Sequence, residues 1–246
     1  MSQPTIYDEQ VAFYLEFVDR NLAAEPSLLL GLVDAVARLA GDRLPGGRVC
    51  DIACGEGYVS RALVERGAAS SIAVDISSAL IEAARRRTND DRITFEVGDA
   101  QTLATVPDAS IDVAVCQMAI MDIPDHRAAF DAAARVVRPG GAYVLTLVHP
   151  CFEGPFDEPA LPHWQRDADG NPTALLVHRY ATEGHWHAGT GGGVRSHVGS
   201  HHRMLSTYVN DLLDAGFVLT RVEEPLGDRG FLAEVPRLML LASARR

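Results

Sequence analysis

Asp75 and Asp99 each stand at or just past the end of a short apolar run, and Asp51 stands within another, just ahead of Gly55-Glu56-Gly57. Glycines at such a turn let the backbone approach a ligand closely, because only a residue without a Cβ takes the unusual φ angles freely. A carboxylate beside that turn repels a pyrophosphate and attracts a cation. An acid at the position of Asp75 is placed for ribose hydroxyls, and Asp99 for an adenine amino group. Together the three suit a ligand with a positive amino-acid end, a ribose and an adenine, and no phosphate. A nicotinamide dinucleotide is the competing ligand, since Gly55-x-Gly57-x-x-Ser60 nearly meets the dinucleotide fingerprint. Asp51 and the missing third glycine speak against it.

The elements that must position these residues alternate along the chain. Strands are predicted at 48–53, 71–75, 93–97, 111–117 and 142–148, with helices near 57–67, 78–87 and 125–137 and a loop between strands three and four. Nearly unbroken apolar content, as in Ile111-Asp112-Val113-Ala114-Val115, marks strands covered on both faces, which points to a parallel, doubly wound sheet. Two helices lead in over 5–39, broken near Pro26. A helix at 204–215 and strands at 217–222 and 236–243 close the chain. Residues 150–203, rich in Pro, Gly, His and aromatic side chains, break the rhythm, and a stretch this long is usually functional or disordered. The expected plan is one domain over 1–246, with N-terminal helices (1–45), a cofactor-binding core (46–149), a lid insertion (150–203) and a C-terminal helix with the last two strands (204–246).

Composition narrows the function classes. A net charge of −11 over 246 residues argues against duplex nucleic acid as a partner. The N-terminus does not read as a signal peptide, and no apolar run approaches the roughly 18 residues that span a bilayer. The expectation is a cytoplasmic protein, monomer or homodimer, with no membrane partner. The four cysteines lack a CxxC pair and are expected as free thiols.

Five strings in order, VCDIACGEGYVS, AVDIS, VGDAQTL, IDVAVCQMAIMDI and ARVVRPGGAYVLTLVHP, resemble the class I S-adenosylmethionine-dependent methyltransferases. The resemblance implies a Rossmann-like α/β fold: a doubly wound seven-stranded sheet, last strand antiparallel, with the lid insertion between strands five and six. It also implies S-adenosylmethionine as cofactor and S-adenosylhomocysteine as product. Asp51, Ala53, Gly55 and Gly57 would lie under the methionine portion. Asp75 would take the ribose, Ile76 the adenine face, and Asp99, Ala100 and Gln101 the adenine edge. Gln117 and Met118 would line the methionine side, and N-terminal segments carrying Tyr7 and Tyr14 would cover the cofactor.

Methyl transfer from a sulfonium is an in-line displacement in which the donor supplies most of the reactivity. The protein must align the partners and exclude water. A base is required only for a protonated acceptor. His149, at the end of strand five, and His202 are the candidate bases. Tyr14, Met121, Trp164, Tyr180, Trp186, Arg203 and Tyr208 are the candidate acceptor-site residues, Arg203, Tyr208 and His202 through a looser resemblance to bacterial small-molecule methyltransferases. His185-x-His187 can place both rings on one side of a strand, with His201 or His202 completing a metal site, but no tight ligand signature supports one; no metal is expected. The acceptor is a small molecule, secondary metabolites among the candidate classes, and is open among O, N and C nucleophiles. A nicotinamide-dependent oxidoreductase and a noncatalytic S-adenosylmethionine-binding protein stand as alternatives.

Overall fold

The computed structural model describes residues 5–154, 164–177, 179–187, 194–228 and 230–246. In chain order the elements are α1 (Ile6–Glu9), α2 (Val11–Leu22), α3 (Leu28–Ala40), β1 (Arg48–Ile52), α4 (Tyr58–Glu65), β2 (Ser70–Asp75), α5 (Ser78–Arg87), β3 (Ile93–Val97), β4 (Ile111–Gln117), α6 (His126–Val136) and β5 (Val137–Val148). Then follow β6 (Trp164–Arg166), β7 (Pro172–Leu175), β8 (Gly184–Trp186), α7 (Val194–Val198), β9 (Ser200–His202), α8 (Leu205–Asp214), β10 (Phe217–Glu223) and β11 (Leu238–Arg245).

Seven strands form one sheet in the order β10-β11-β5-β4-β1-β2-β3. β1 to β5 run parallel, and β11 is antiparallel to both β5 and β10. The expected fold is therefore the observed one. Helices cover both faces because both faces of the strands are apolar. Leu29, Val33, Leu63 and Ile81 pack on one side, and Phe130, Tyr143, Leu212 and Phe217 on the other. Side-chain caps set where helices begin: Ser27, Ser77 and Asp125 accept from Leu30, Leu80 and Ala128 amides at the starts of α3, α5 and α6.

Three expectations change. The lead-in is three helices, because Thr5 and Asp8 form a capping box that starts a separate first turn. β5 begins at Val137 instead of 142, since Val137 already pairs with Ile111 ahead of Gly140. The insertion is not featureless: β6 pairs with β7 and β8 with β9 as antiparallel ribbons. Its residues 155–163, 178 and 188–193 lie outside the described residues, His178 among them. Among the described residues, no helix is long and apolar enough to cross a membrane.

Candidate active site

The chain leaves β1 toward β2 on one side and returns to β4 on the other, so a crevice opens beyond the carboxyl ends of β1 and β4, where ligands bind in this architecture. Asp51 is buried in β1, and its Oδ2 accepts from the Ser60 amide (3.1 Å) and the Ser60 hydroxyl (2.7 Å), tying the strand to the first turn of α4. Asp75 ends β2, where Oδ2 accepts from the Gly55 amide (2.8 Å) and Oδ1 from the Ser77 amide (2.8 Å). Burial pushes Asp51 up to about 7 and Asp75 up to about 6, against the partial relief of these hydrogen bonds. Two raised carboxylates in one crevice want a positive charge.

The turn between them is tight. Gly57 takes φ +84°, and a Cβ there would lie 2.5 Å from the Phe95 ring. Ala53 and Met118, the residues after β1 and β4, both hold φ 56° without being glycine. Such backbone costs of order 1–3 kcal/mol and persists where the surroundings enforce it, commonly at functional sites.

The crevice is covered from two directions. On one side the Tyr14 hydroxyl of α2 would sit 2.7 Å from a Cβ on Gly55, and Asp8 accepts from the Ser77 hydroxyl (2.7 Å) and the Ala79 amide (3.1 Å). On the other, Arg195 of α7 pairs with Asp122 and donates to the Met118 carbonyl (3.2 Å). The two covers meet: the Tyr7 hydroxyl donates to the second Asp122 oxygen (2.8 Å), and Phe13 stacks on His197 with centroids 4.0 Å apart.

Beyond this cover, a cavity of about 550 Å³ opens between the start of α6 and the β8–β9 ribbon, lined by Asp125, His126, Glu183, His201, His202 and Arg203. A second, of about 10 Å³, shares His201, His202 and Arg203 and adds Met121, Trp186 and Tyr208.

Residues 50–145 match the family model of a methyltransferase domain. A solved S-adenosylmethionine-dependent methyltransferase from Mesorhizobium loti is 30% identical, superposes with a TM-score of 0.71, and is matched over 96% of its length and 86% of this chain. The chain belongs to the class I S-adenosylmethionine-dependent methyltransferases. Curated relatives include a ubiquinone biosynthesis O-methyltransferase from Xanthomonas campestris, 31% identical over 43% of this chain, and a demethylmenaquinone methyltransferase from Clavibacter sepedonicus, 36% identical over 45%. The match spans less than half of those relatives' own length, 45% and 43%.

Several features of this methyltransferase fit the family's donor. Gln117 donates to the Tyr58 hydroxyl (2.9 Å), but its buried Oε1 has no partner among the described residues, an acceptor suited to an ammonium group. Ile76 and Val97, apolar ends of β2 and β3, are 51% and 44% exposed, as a slot for a flat base requires. Asp99 accepts from both the amide and the side chain of Gln101, whose Oε1 in turn accepts from the Asp125 amide (2.9 Å). Gln101 therefore ties the loop after β3 to the start of α6, and Ala100 is buried beside it.

The acceptor-side candidates divide. Met121, Trp186, His202, Arg203 and Tyr208 converge on the narrow cavity. Tyr180 stands behind them, its hydroxyl accepting from the Leu205 amide (2.8 Å) and its carbonyl accepting from His202 Nε2 (2.7 Å). Tyr14 belongs with the cofactor cover. Trp164 packs edge-on to Phe231 and under Arg237, and does not line either cavity. His149, expected as a base, has both nitrogens engaged: Nδ1 accepts from the Cys151 amide (3.2 Å), which leaves the proton on Nε2 for Glu224 (2.7 Å). So held, the ring has no lone pair for an acceptor. His185 lies 5.1 Å from His187 and 4.9 Å from His201 between ring centroids, yet among the described residues no three such side chains form a metal-holding group. The four cysteines are free.

Sequence inspection passed over Asp122 and Arg195. Asp122 was findable by extending the strand-end acid rule to the segment after β4. Arg195 carries no local signal, since its partner lies 73 residues away.

Proposed function

We propose that the protein transfers the methyl group of S-adenosylmethionine to a small organic acceptor, in the cytoplasm and without nucleic acid. The observation that carries this is the pair of buried carboxylates, Asp51 and Asp75, flanking the Gly55–Gly57 turn at the sheet's switch point. A bound donor supplies a sulfonium methyl whose displacement releases a neutral thioether. The chain's own residues do the rest. Asp51, Asp75 and the free Gln117 oxygen hold the polar and cationic parts, and the Gly55 backbone leaves room for close approach. Tyr7, Asp122 and Arg195 join the N-terminal helices to α7 and keep bulk water out.

The acceptor reaches the site from the β8–β9 side, where the two cavities share His201, His202 and Arg203. If it arrives protonated, His201 is the better-placed base than His149. No hydrogen bond engages the His201 ring among the described residues, and burial, with Arg203 second, lowers it to about 4, so the ring is neutral but a weak base, suited only to an acceptor whose proton is itself acidic. The name of the ubiquinone biosynthesis O-methyltransferase relative favours an oxygen acceptor. Calorimetric titration with S-adenosylmethionine, S-adenosylhomocysteine and NAD in parallel tests the core reading: binding of the first two alone is expected, and binding of NAD alone would overturn it. Mass-spectrometric screening for a gain of one methyl then identifies the acceptor.

A further inference from the structure

Arg203 is 6% exposed and lines both cavities on the acceptor side. A buried guanidinium is costly unless a counter-charge meets it. Its hydrogen bonds run to three carbonyl oxygens, those of Ile120 (3.4 Å), Ile123 (2.7 Å) and Pro124 (2.8 Å), and no carboxylate pairs with it among the described residues. Among the groups its charge acts on are His126, His201 and the Tyr208 phenol. The acids on the outer cavity are committed elsewhere. Asp125 caps α6 through the Ala128 amide, and Glu183 accepts from the Met204 amide and the Thr207 hydroxyl at the start of α8. Asp211, behind the cavity, pairs with His126 and Arg127. On the inner cavity Glu153 pairs with Arg237.

We infer that Arg203 binds a carboxylate of the methyl acceptor, so that the substrates are small organic acids whose body occupies the larger cavity between the start of α6 and the β8–β9 ribbon. This rests on the methyl-transfer reading. The carbonyl bonds fix the guanidinium against the 120–124 segment, immediately after β4, so a carboxylate held by it is anchored beside the strand end that carries Gln117 and Met118. The guanidinium carbon lies over the Tyr208 ring, 5.8 Å from its centroid, so the buried ring helps hold Arg203 in place.

The test uses the full chain saturated with S-adenosylhomocysteine, titrated calorimetrically with benzoate and with benzamide, which has nearly the same shape and no charge. Benzoate should bind at least about tenfold more tightly, as a charge-assisted hydrogen bond gives. Arg203→Gln should abolish that preference while leaving S-adenosylhomocysteine affinity unchanged, and Arg203→Lys should keep part of it. Should Arg203→Gln fail to fold, a crystal of the wild-type ternary complex decides: a benzoate carboxylate hydrogen-bonded to Arg203 supports the inference, and a carboxylate held elsewhere overturns it. Equal affinities in the wild type, a preference that survives Arg203→Gln, or no benzoate binding up to about 10 mM overturns it as well. Failure of S-adenosylhomocysteine to bind strikes instead at the methyltransferase reading itself.

Discussion

Lowering the pH should weaken binding of S-adenosylmethionine, because the crevice's acids take up protons that the cationic donor must displace. Burial raises Asp75 to about 6 and Asp51 to about 7, so in the free protein both titrate near neutrality. If the bound donor holds them ionised, affinity rises between about pH 5.5 and 7.5 by ~4-fold through Asp75 and ~25-fold through Asp51, ~100-fold together. The donor's own α-amino group stays mostly protonated below about pH 7.7, so the change belongs to the protein. At about pH 6.5 the two acids carry about one proton between them, and binding should release it. Calorimetry in two buffers of different ionisation enthalpy counts that proton directly. The same shifts act on the free fold with the opposite sense: these raised carboxylates favour the folded state at low pH, and that contribution is lost as pH rises through 6 to 7. An affinity that is flat across this range, with no proton released, would refute the idea that the two acids face the donor's charge.

Other substitutions separate the parts of the site. Asp75→Ala should weaken S-adenosylmethionine by about tenfold or more, since it removes a buried acceptor group, as read by the same titration. Arg195→Met strands the Asp122 carboxylate without its counterion and should cost about 3–5 kcal/mol. Hydrogen exchange should then quicken in both α7 and α1–α2, whereas exchange confined to α7 would show that the covers are not joined. Gly57→Ala forces a Cβ into the Phe95 ring at φ +84° and should destabilise by at least about 1–3 kcal/mol in chemical denaturation. His149→Ala should lower stability by about 1–3 kcal/mol through its two lost hydrogen bonds while turnover per folded molecule holds; a large fall in turnover alone would restore the ring as a base.

The sheet and the cofactor crevice were legible because their signals are local. Strands covered on both faces carry unbroken apolar runs, helix starts carry their own caps, and Gly55 and Gly57 follow closely on Asp51. Order along the chain then brings Asp51, Asp75 and Gln117 to one end of adjacent strands, since β2, β1 and β4 are neighbours. Which polar groups are already committed could not be read that way. His149 and His201 are both histidines that the sequence leaves open to chemistry. One is held by Glu224, 75 residues on, while among the described residues no hydrogen bond engages the ring of the other beside Arg203.

By itself, then, the amino-acid sequence determined the parallel sheet, the helices that flank it and the acid-and-glycine crevice, because each follows from periodicity and spacing over a few residues. Tertiary structure alone decided that Asp122 joins Tyr7 to Arg195, that Trp164 packs against Phe231 and Arg237, and that Arg203 is buried with no carboxylate paired to it among the described residues. Those facts depend on which side chains meet across dozens of residues, and a buried charge reveals its missing partner only when everything packed around it is known.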